Sequence, residues 1–325
     1  MALGLRHHPG RHLATSRRLR RSLAHGRTRS KPVIQSTNIE RSDVPTQTGD
    51  GDPRPVILRA ENVSVSYQSA SGSRVDAVRE VSLDIREGEF VSIIGPSGCG
   101  KSTLLRAFGG LTRTSGGSVL LQGDPVTRPK PDKIGFVFQD YTLFPWRSVL
   151  ANTVMGLQFR GVDRREREAT ARRYLELVGL DWCADSFPAE LSGGMQQRVA
   201  IARALTTDPA VLLMDEPFGA LDEQTRTLLG GELAGIVEKT GKTVLLVTHS
   251  LAEAVFLSDR ILVMSARPGC IKEIVQVPAE RPRTEEFLTS ALFDEIRAKV
   301  FASLIEEVHR QAQANEESRR AAQRG

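Results

Sequence analysis

The sequence predicts an α/β fold: a buried sheet flanked by helices, with a small helical insertion. Three observations predict it. Short apolar runs, 90–94, 211–214 and 244–247 among them, recur between stretches of helical periodicity. The stretch Gly95-Pro96-Ser97-Gly98-Cys99-Gly100-Lys101-Ser102-Thr103 fits a glycine, four residues, then Gly-Lys-Ser/Thr, the pattern of a phosphate-binding loop. It stands between an apolar run and a helix start (Leu104, Leu105, Ala107, Phe108), the strand–loop–helix setting that this motif requires.

The chain begins with a basic, acid-free segment. Nine Lys/Arg and no Asp or Glu fall in residues 1–39, so the formal charge of +5 becomes −4 from Glu40 onward. Residues 1–55 read as an unfolded leader and linker, and three readings stay open for them. These are a dispensable tail or start-site artefact, an arm touching lipid or RNA, and a targeting segment. The mildly acidic remainder offers no basic footprint for nucleic acid.

From residue 56 the pattern turns periodic. Strands are expected at 56–58, 63–67, 81–85, 90–94, 118–121 and 134–138, with a turn at 86–89 and a helix break at 114–117. Between about 148 and 189 the pattern is helical, with an amphipathic helix at 164–178. A loop running into a helix follows at 191–204. Then come a strand at 210–214, a helix at 223–238 and strands at 243–247, 261–264 and 271–277. Beyond Arg281 an i, i+4 stripe of Leu288, Leu292, Ile296, Val300, Leu304 and Val308 predicts an amphipathic helix, laid on the domain itself or on a partner. Residues 316–325 read as frayed. No apolar run approaches the ~20 residues of a membrane-spanning helix. The three cysteines share no metal-type spacing, which makes a reduced, intracellular protein the default.

The candidate chemistry starts in the glycine loop. Its backbone N–H groups and the following helix N-terminus favour a phosphate, Lys101 would reach the β- and γ-phosphates, and Ser102 would ligate Mg²⁺. A second carboxylate-bearing position lies at Asp215-Glu216, after four apolar residues. A strand ending there puts charge at the carboxyl edge of a parallel sheet. Read as continuing strand, the two acids point opposite ways and can do two jobs. A third element, Leu191-Ser192-Gly193-Gly194-Met195-Gln196-Gln197-Arg198, opens a helix with a serine and two glycines, which is again a local anion site. One nucleotide on one chain needs only one such site. A head-to-tail dimer resolves the excess, each nucleotide touching Lys101 of one subunit and Ser192 of the other.

In order, 95–103, Gln139, 191–198, Asp215 with Glu216, Gly219-Ala220-Leu221-Asp222 and His249 resemble the Walker A, Q-loop, signature, Walker B, D-loop and switch histidine of ABC-transporter ATP-binding subunits. The resemblance covers about residues 56–277; Met195 replaces the commonest signature glutamine. It implies a P-loop NTPase with a RecA-like core, the ABC antiparallel β subdomain and a small α-helical subdomain at about 140–190. The ATPase domain would span 56–280, followed by a C-terminal helix and tail at 281–325.

The resemblance also implies residue roles. ATP would be bound by Tyr67 (stacked on adenine), 95–103, Gln139 and His249, and in trans by Ser192, Gly193, Gly194 and Asp222. Mg²⁺ would be held by Ser102, Gln139 and, through water, Asp215. Catalysis would rest on Glu216, His249 and Lys101. Leu143-Phe144-Pro145-Trp146-Arg147-Ser148-Val149, 220–226 and 265–269 are similar to the importers for nitrate, sulfonates and taurine. The expected partners are a second copy, an integral membrane permease and, indirectly, an extracytoplasmic solute-binding protein. The expected location is the cytoplasmic face of the cell (inner) membrane. An exporter subunit, or a soluble ABC protein acting on nucleic acid or ribosomes, is the competing reading.

Overall fold

The computed structural model describes residues 53–68, 72–219 and 221–322, within the unit Thr46–Gly325. Almost all of the leader, and with it the choice among its three readings, lies outside the described residues. In chain order the strands are β1 (Val56–Gln68), β2 (Arg74–Arg86), β3 (Phe90–Ile94), β4 (Gly116–Leu121), β5 (Asp124–Pro125), β6 (Ile134–Val137), β7 (Val211–Asp215), β8 (Thr243–Val247), β9 (Arg260–Met264) and β10 (Ile271–Gln276). The helices are α1 (Lys101–Phe108), α2 (Val149–Thr153), α3 (Met155–Phe159), α4 (Arg164–Leu177), α5 (Gly193–Leu205), α6 (Glu223–Thr240), α7 (Leu251–Leu257), α8 (Glu285–Leu288) and α9 (Ala291–Ala322).

Two sheets result. One is antiparallel, in the order β2-β1-β4-β5; the other runs β10-β9-β3-β8-β7-β6 and is parallel except for β10. The parallel strands are buried on both faces, which is why their apolar runs show no alternation in sequence. Their side chains still alternate in space. Phe90 and Ile94 face a core shared with the α5, α6, α7 and α9 side, whereas Val91 and Ile93 face α1 and the antiparallel sheet. Because β3, β7 and β8 are parallel neighbours, their carboxyl ends share one edge.

Several elements differ from expectation. The strands at 56–58 and 63–67 are one strand, whose ladder shifts register between Ala60 and Val63, where Asn62 adopts φ 49°. Asparagine tolerates that left-handed turn, so the polar Glu61-Asn62 pair bends the strand without ending it. Strand β2 starts at Arg74, well before residue 81, because its outward charges mask the alternation of Val75, Ala77 and the residues after them.

The C-terminal stripe is rotated. An i, i+4 series advances 400° per step and drifts off any single helix face. The face of α9 that is buried comprises Phe293, Ile296, Val300, Ser303 and Glu307, while Val308 is exposed and Leu288 sits in α8. The expected fraying from residue 316 is replaced by helix to Ala322.

Helix α7, which sequence periodicity did not reveal, is fastened by one arginine. Arg283 is buried, and its guanidinium donates to the carbonyls of Val255 (3.2 Å), Phe256 (2.8 Å), Val277 (3.4 Å) and Ala279 (2.8 Å). Burial pushes its pKa down to about 10. A cation on the last carbonyls of a helix satisfies groups that the helix itself cannot. Arg283→Ala is expected to cost about 2–4 kcal/mol of stability by stranding these acceptors. A urea midpoint equal to the wild type would contradict that.

Candidate nucleotide site

The glycine loop connects β3 to α1, and its conformation depends on glycines at two points. Gly98 (φ 72°) and Gly100 (φ 109°) are left-handed, and a Cβ on Gly100 would lie 2.6 Å from the Ala77 carbonyl oxygen. Cys99, between them, buries its side chain in the core against Gly95, and burial pushes its thiol pKa up. Its side chain is therefore a packing element, and only its backbone belongs to the loop.

Lys101 is buried without a carboxylate partner among the described residues. Its Nζ donates to the carbonyls of Gly95 (3.0 Å) and Pro96 (3.1 Å). A desolvated cation held only by carbonyls, at the mouth of a glycine loop, fits an anionic group. Tyr67 is exposed at the end of β1, its hydroxyl 3.5 Å from Thr103 Oγ1.

Asp215 ends β7 and is buried; Ser102 Oγ donates to its Oδ1 at 2.7 Å, and Arg106 Nη2 lies 3.6 Å from its Oδ2. Burial raises the pKa of its carboxyl. A hydroxyl and a carboxylate side by side are hard oxygen donors that fit Mg²⁺; Gln139 follows β6, the strand beside β7. Gln139 itself is exposed.

Glu216 does not continue the strand. At φ 46° it turns left-handed, with its N–H donating to Val247 O at 2.9 Å. The divergence of the two acids therefore comes from this turn and not from strand alternation, a strained conformation of the kind kept at functional positions. The turn brings Glu216 Oε2 to 3.2 Å from His249 Nδ1.

Ser192 caps α5, its Oγ accepting from Met195 N–H at 3.3 Å, and Gly193 and Gly194 form the first turn. No hydrogen bond joins 192–194 to 95–103 among the described residues. Within the chain the two glycines pack instead near Leu221 and Leu229. Asp222 caps α6, accepting from Thr225 N–H (3.0 Å) and Oγ1 (2.7 Å), and these bonds hold its carboxyl below the usual range.

Four supporting groups had escaped the sequence. Arg226 donates to the carbonyl of Leu221 at 3.0 Å and lies 3.4 Å from Glu253, whose Oε2 accepts from Thr248 Oγ1. The segment of Asp222 is thereby tied to the residue before His249. Arg203 donates three bonds of 2.8–2.9 Å to Tyr141 and Thr142, fixing the segment after Gln139 to α5. Asn152, fully buried, bonds the backbone of Phe144, Arg147 and Ser148. That loop leaves Trp146 70% exposed, edge-on to Phe144. Only Glu253, three residues after the cap Ser250, carries a local sequence signal.

Residues 78–219 match the family described as ABC transporter. The ABC transporter ATP-binding protein MJ0412 of Methanocaldococcus jannaschii is 50% identical over 257 residues, 79% of this chain and 94% of that protein. The taurine import ATP-binding protein TauB of Rhizobium johnstonii is 47% identical over 253 residues, 76% of this chain and 96% of that one. Among solved structures, the dimeric post-hydrolysis state of the ATP-binding cassette MJ0796 bound to ADP and Pi is similar, with a TM-score of 0.61 at 35% identity. That match covers 69% of this chain and 100% of the other. With relatives this similar along nearly their whole length, and a glycine loop, paired acids and histidine gathered at one sheet edge, this chain belongs to the ATP-binding proteins of ABC transporters and is an ATPase.

Proposed function

We propose that the chain energises an importer for a small solute of the taurine, sulfonate or nitrate class. It would act as a homodimer on the cytoplasmic face of the cell membrane, bound to integral permease subunits that an extracytoplasmic solute-binding protein supplies. The observation that carries the transport reading is the loop after Gln139. An exposed tryptophan, held out by a buried asparagine, gives a membrane subunit an apolar contact a short loop away from the nucleotide-sensing glutamine. The solute class is supported by the relative named for taurine import and by the 143–149 segment. No helix among the described residues is long and apolar enough to cross a membrane; in this reading the permease subunits supply the permeation path.

In the dimer, Ser192, Gly193, Gly194 and Asp222 of one copy close over the nucleotide that 95–103 and Tyr67 of the other copy hold. The separation of these elements within one chain supports that arrangement, as does the dimer of the similar cassette. Ser102, Gln139 and, through water, Asp215 would hold Mg²⁺, which would supply charge neutralisation at the phosphates. Lys101 shifts from loop carbonyls to the β- and γ-phosphates. Glu216 takes a proton from the attacking water, and His249 steadies that carboxylate and contacts the γ-phosphate.

Membrane fractionation tests the assembly. The chain is expected to pellet with membranes that contain its permease and to stay in the supernatant when the permease gene is deleted. Equal partition in both strains would overturn the importer reading. Uptake of taurine, an alkanesulfonate and nitrate in the two strains then assigns the solute.

A further inference from the structure

We infer that helix α9 braces the phosphate loop and thereby sets its nucleotide affinity. The inference rests on the nucleotide site proposed above but concerns a helix beyond the segment that matches the family. Gln311, on α9, donates from Nε2 to the Ser97 carbonyl at 3.2 Å, and Arg267 donates from Nη2 to the Gly98 carbonyl at 3.2 Å.

These two carbonyls matter because a trans peptide is planar, its C=O and N–H pointing in opposite directions. Holding the Ser97 oxygen fixes the direction of the Gly98 N–H, which has no acceptor among the described residues. Holding the Gly98 oxygen fixes the Cys99 N–H, which closes the loop onto Pro96 O at 3.3 Å. A phosphate loop binds through pre-aimed N–H groups, so outside contacts that aim them lower the ordering cost of binding.

The brace is itself anchored. Glu307 is fully buried; its Oε2 accepts from Ala266 N–H at 3.0 Å, and its Oε1 lies 3.2 Å from Lys272 Nζ and 2.8 Å from Arg310. Lys272 also donates to Ser303 O at 3.0 Å. Helix α9 and the segment bearing Arg267 are thus one unit. A cavity of about 650 Å³, lined by Gly98, Arg267, Arg310 and Gln311, lies beside this contact. Hydrogen bonds rather than close packing therefore hold the loop tip on this side.

The test titrates the full chain with a fluorescent N-methylanthraniloyl ATP and measures steady-state ATPase. Gln311→Ala is expected to raise the nucleotide Kd and KM together by about 3- to 10-fold, with kcat unchanged, as the loss of one net hydrogen bond requires. Gln311→Glu, of the same shape but with no donor, should bind no better than Gln311→Ala. Gln311→Lys, which restores a donor, should recover the affinity. All three residues favour helix, so helix propensity predicts no difference between them. Gln311→Met, uncharged and without a donor, separates the donor from the charge and should bind no better than Gln311→Ala. Wild-type Kd there would count against the brace. Wild-type Kd in both the Ala and Glu variants would overturn the brace. Lys101→Ala is the control for the site itself. Loss of binding there upholds the site, and the Gln311 variants then decide the brace alone; wild-type binding would overturn the nucleotide-site reading instead.

Discussion

Glu216→Gln is expected to bind ATP as the wild type does while losing turnover by about 10²- to 10⁴-fold, the range a positioned general base contributes. The geometry makes this substitution clean. Backbone, not side chain, sets the left-handed turn at Glu216: its N–H is held by Val247 O and its carbonyl accepts from Gly219 N–H at 3.1 Å. A glutamine amide keeps the shape and an oxygen for His249 but cannot take a proton. With hydrolysis blocked and binding intact, the ATP-bound dimer should accumulate on light scattering, where the wild type cycles back to monomer. Near-normal hydrolysis would remove Glu216 from the role of base. A monomer in saturating ATP would remove the trans role of Ser192.

Gly269→Ala is expected to damage both stability and nucleotide binding, although it lies outside the motifs. A Cβ there would lie 2.1 Å from the Cys99 carbonyl oxygen and 2.7 Å from Met264 Cε. Gly269 cannot retreat, because its N–H donates to Ala77 O at 2.9 Å and its carbonyl accepts from Arg79 N–H at 3.0 Å. The phosphate loop must move instead. The expected cost is about 1–3 kcal/mol of stability, the range for overpacking, together with a nucleotide Kd raised about tenfold or more. Gly235→Ala, within α6 and with open space at its Cβ, should do the opposite and stabilise by up to about 1 kcal/mol. Thermal melts and nucleotide titration of the two variants check both signs. Equal nucleotide affinity in both would detach Gly269 from the loop.

The brace and Gly269 belong to one wall. The phosphate loop meets a second backbone at Gly269, an arginine at Gly98 and a helix at Ser97, none of which lies in a nucleotide motif. Nucleotide affinity is then a property of the C-terminal part of the chain as well as of the loop, and substitutions there should change KM before kcat.

By itself, the sequence determined the α/β class, the phosphate loop and the order of the motifs, because each depends on local chemistry. Glycines at 98 and 100 permit φ values that other residues resist, and four- or five-residue unalternating apolar runs suit strands covered on both faces. It did not determine which way Glu216 points, since one left-handed residue redirects a side chain that strand periodicity would send elsewhere. Nor did it reveal Arg203, Arg226 or Gln311, whose partners lie 61, 5 and 214 residues away and are carbonyls, which any residue supplies. The buried face of α9 was likewise decided in three dimensions. A 3.6-residue turn carries Ser303 and Glu307 inward and Val308 outward, and the burial of Glu307 became possible only where Lys272 and Arg310 arrive to neutralise it.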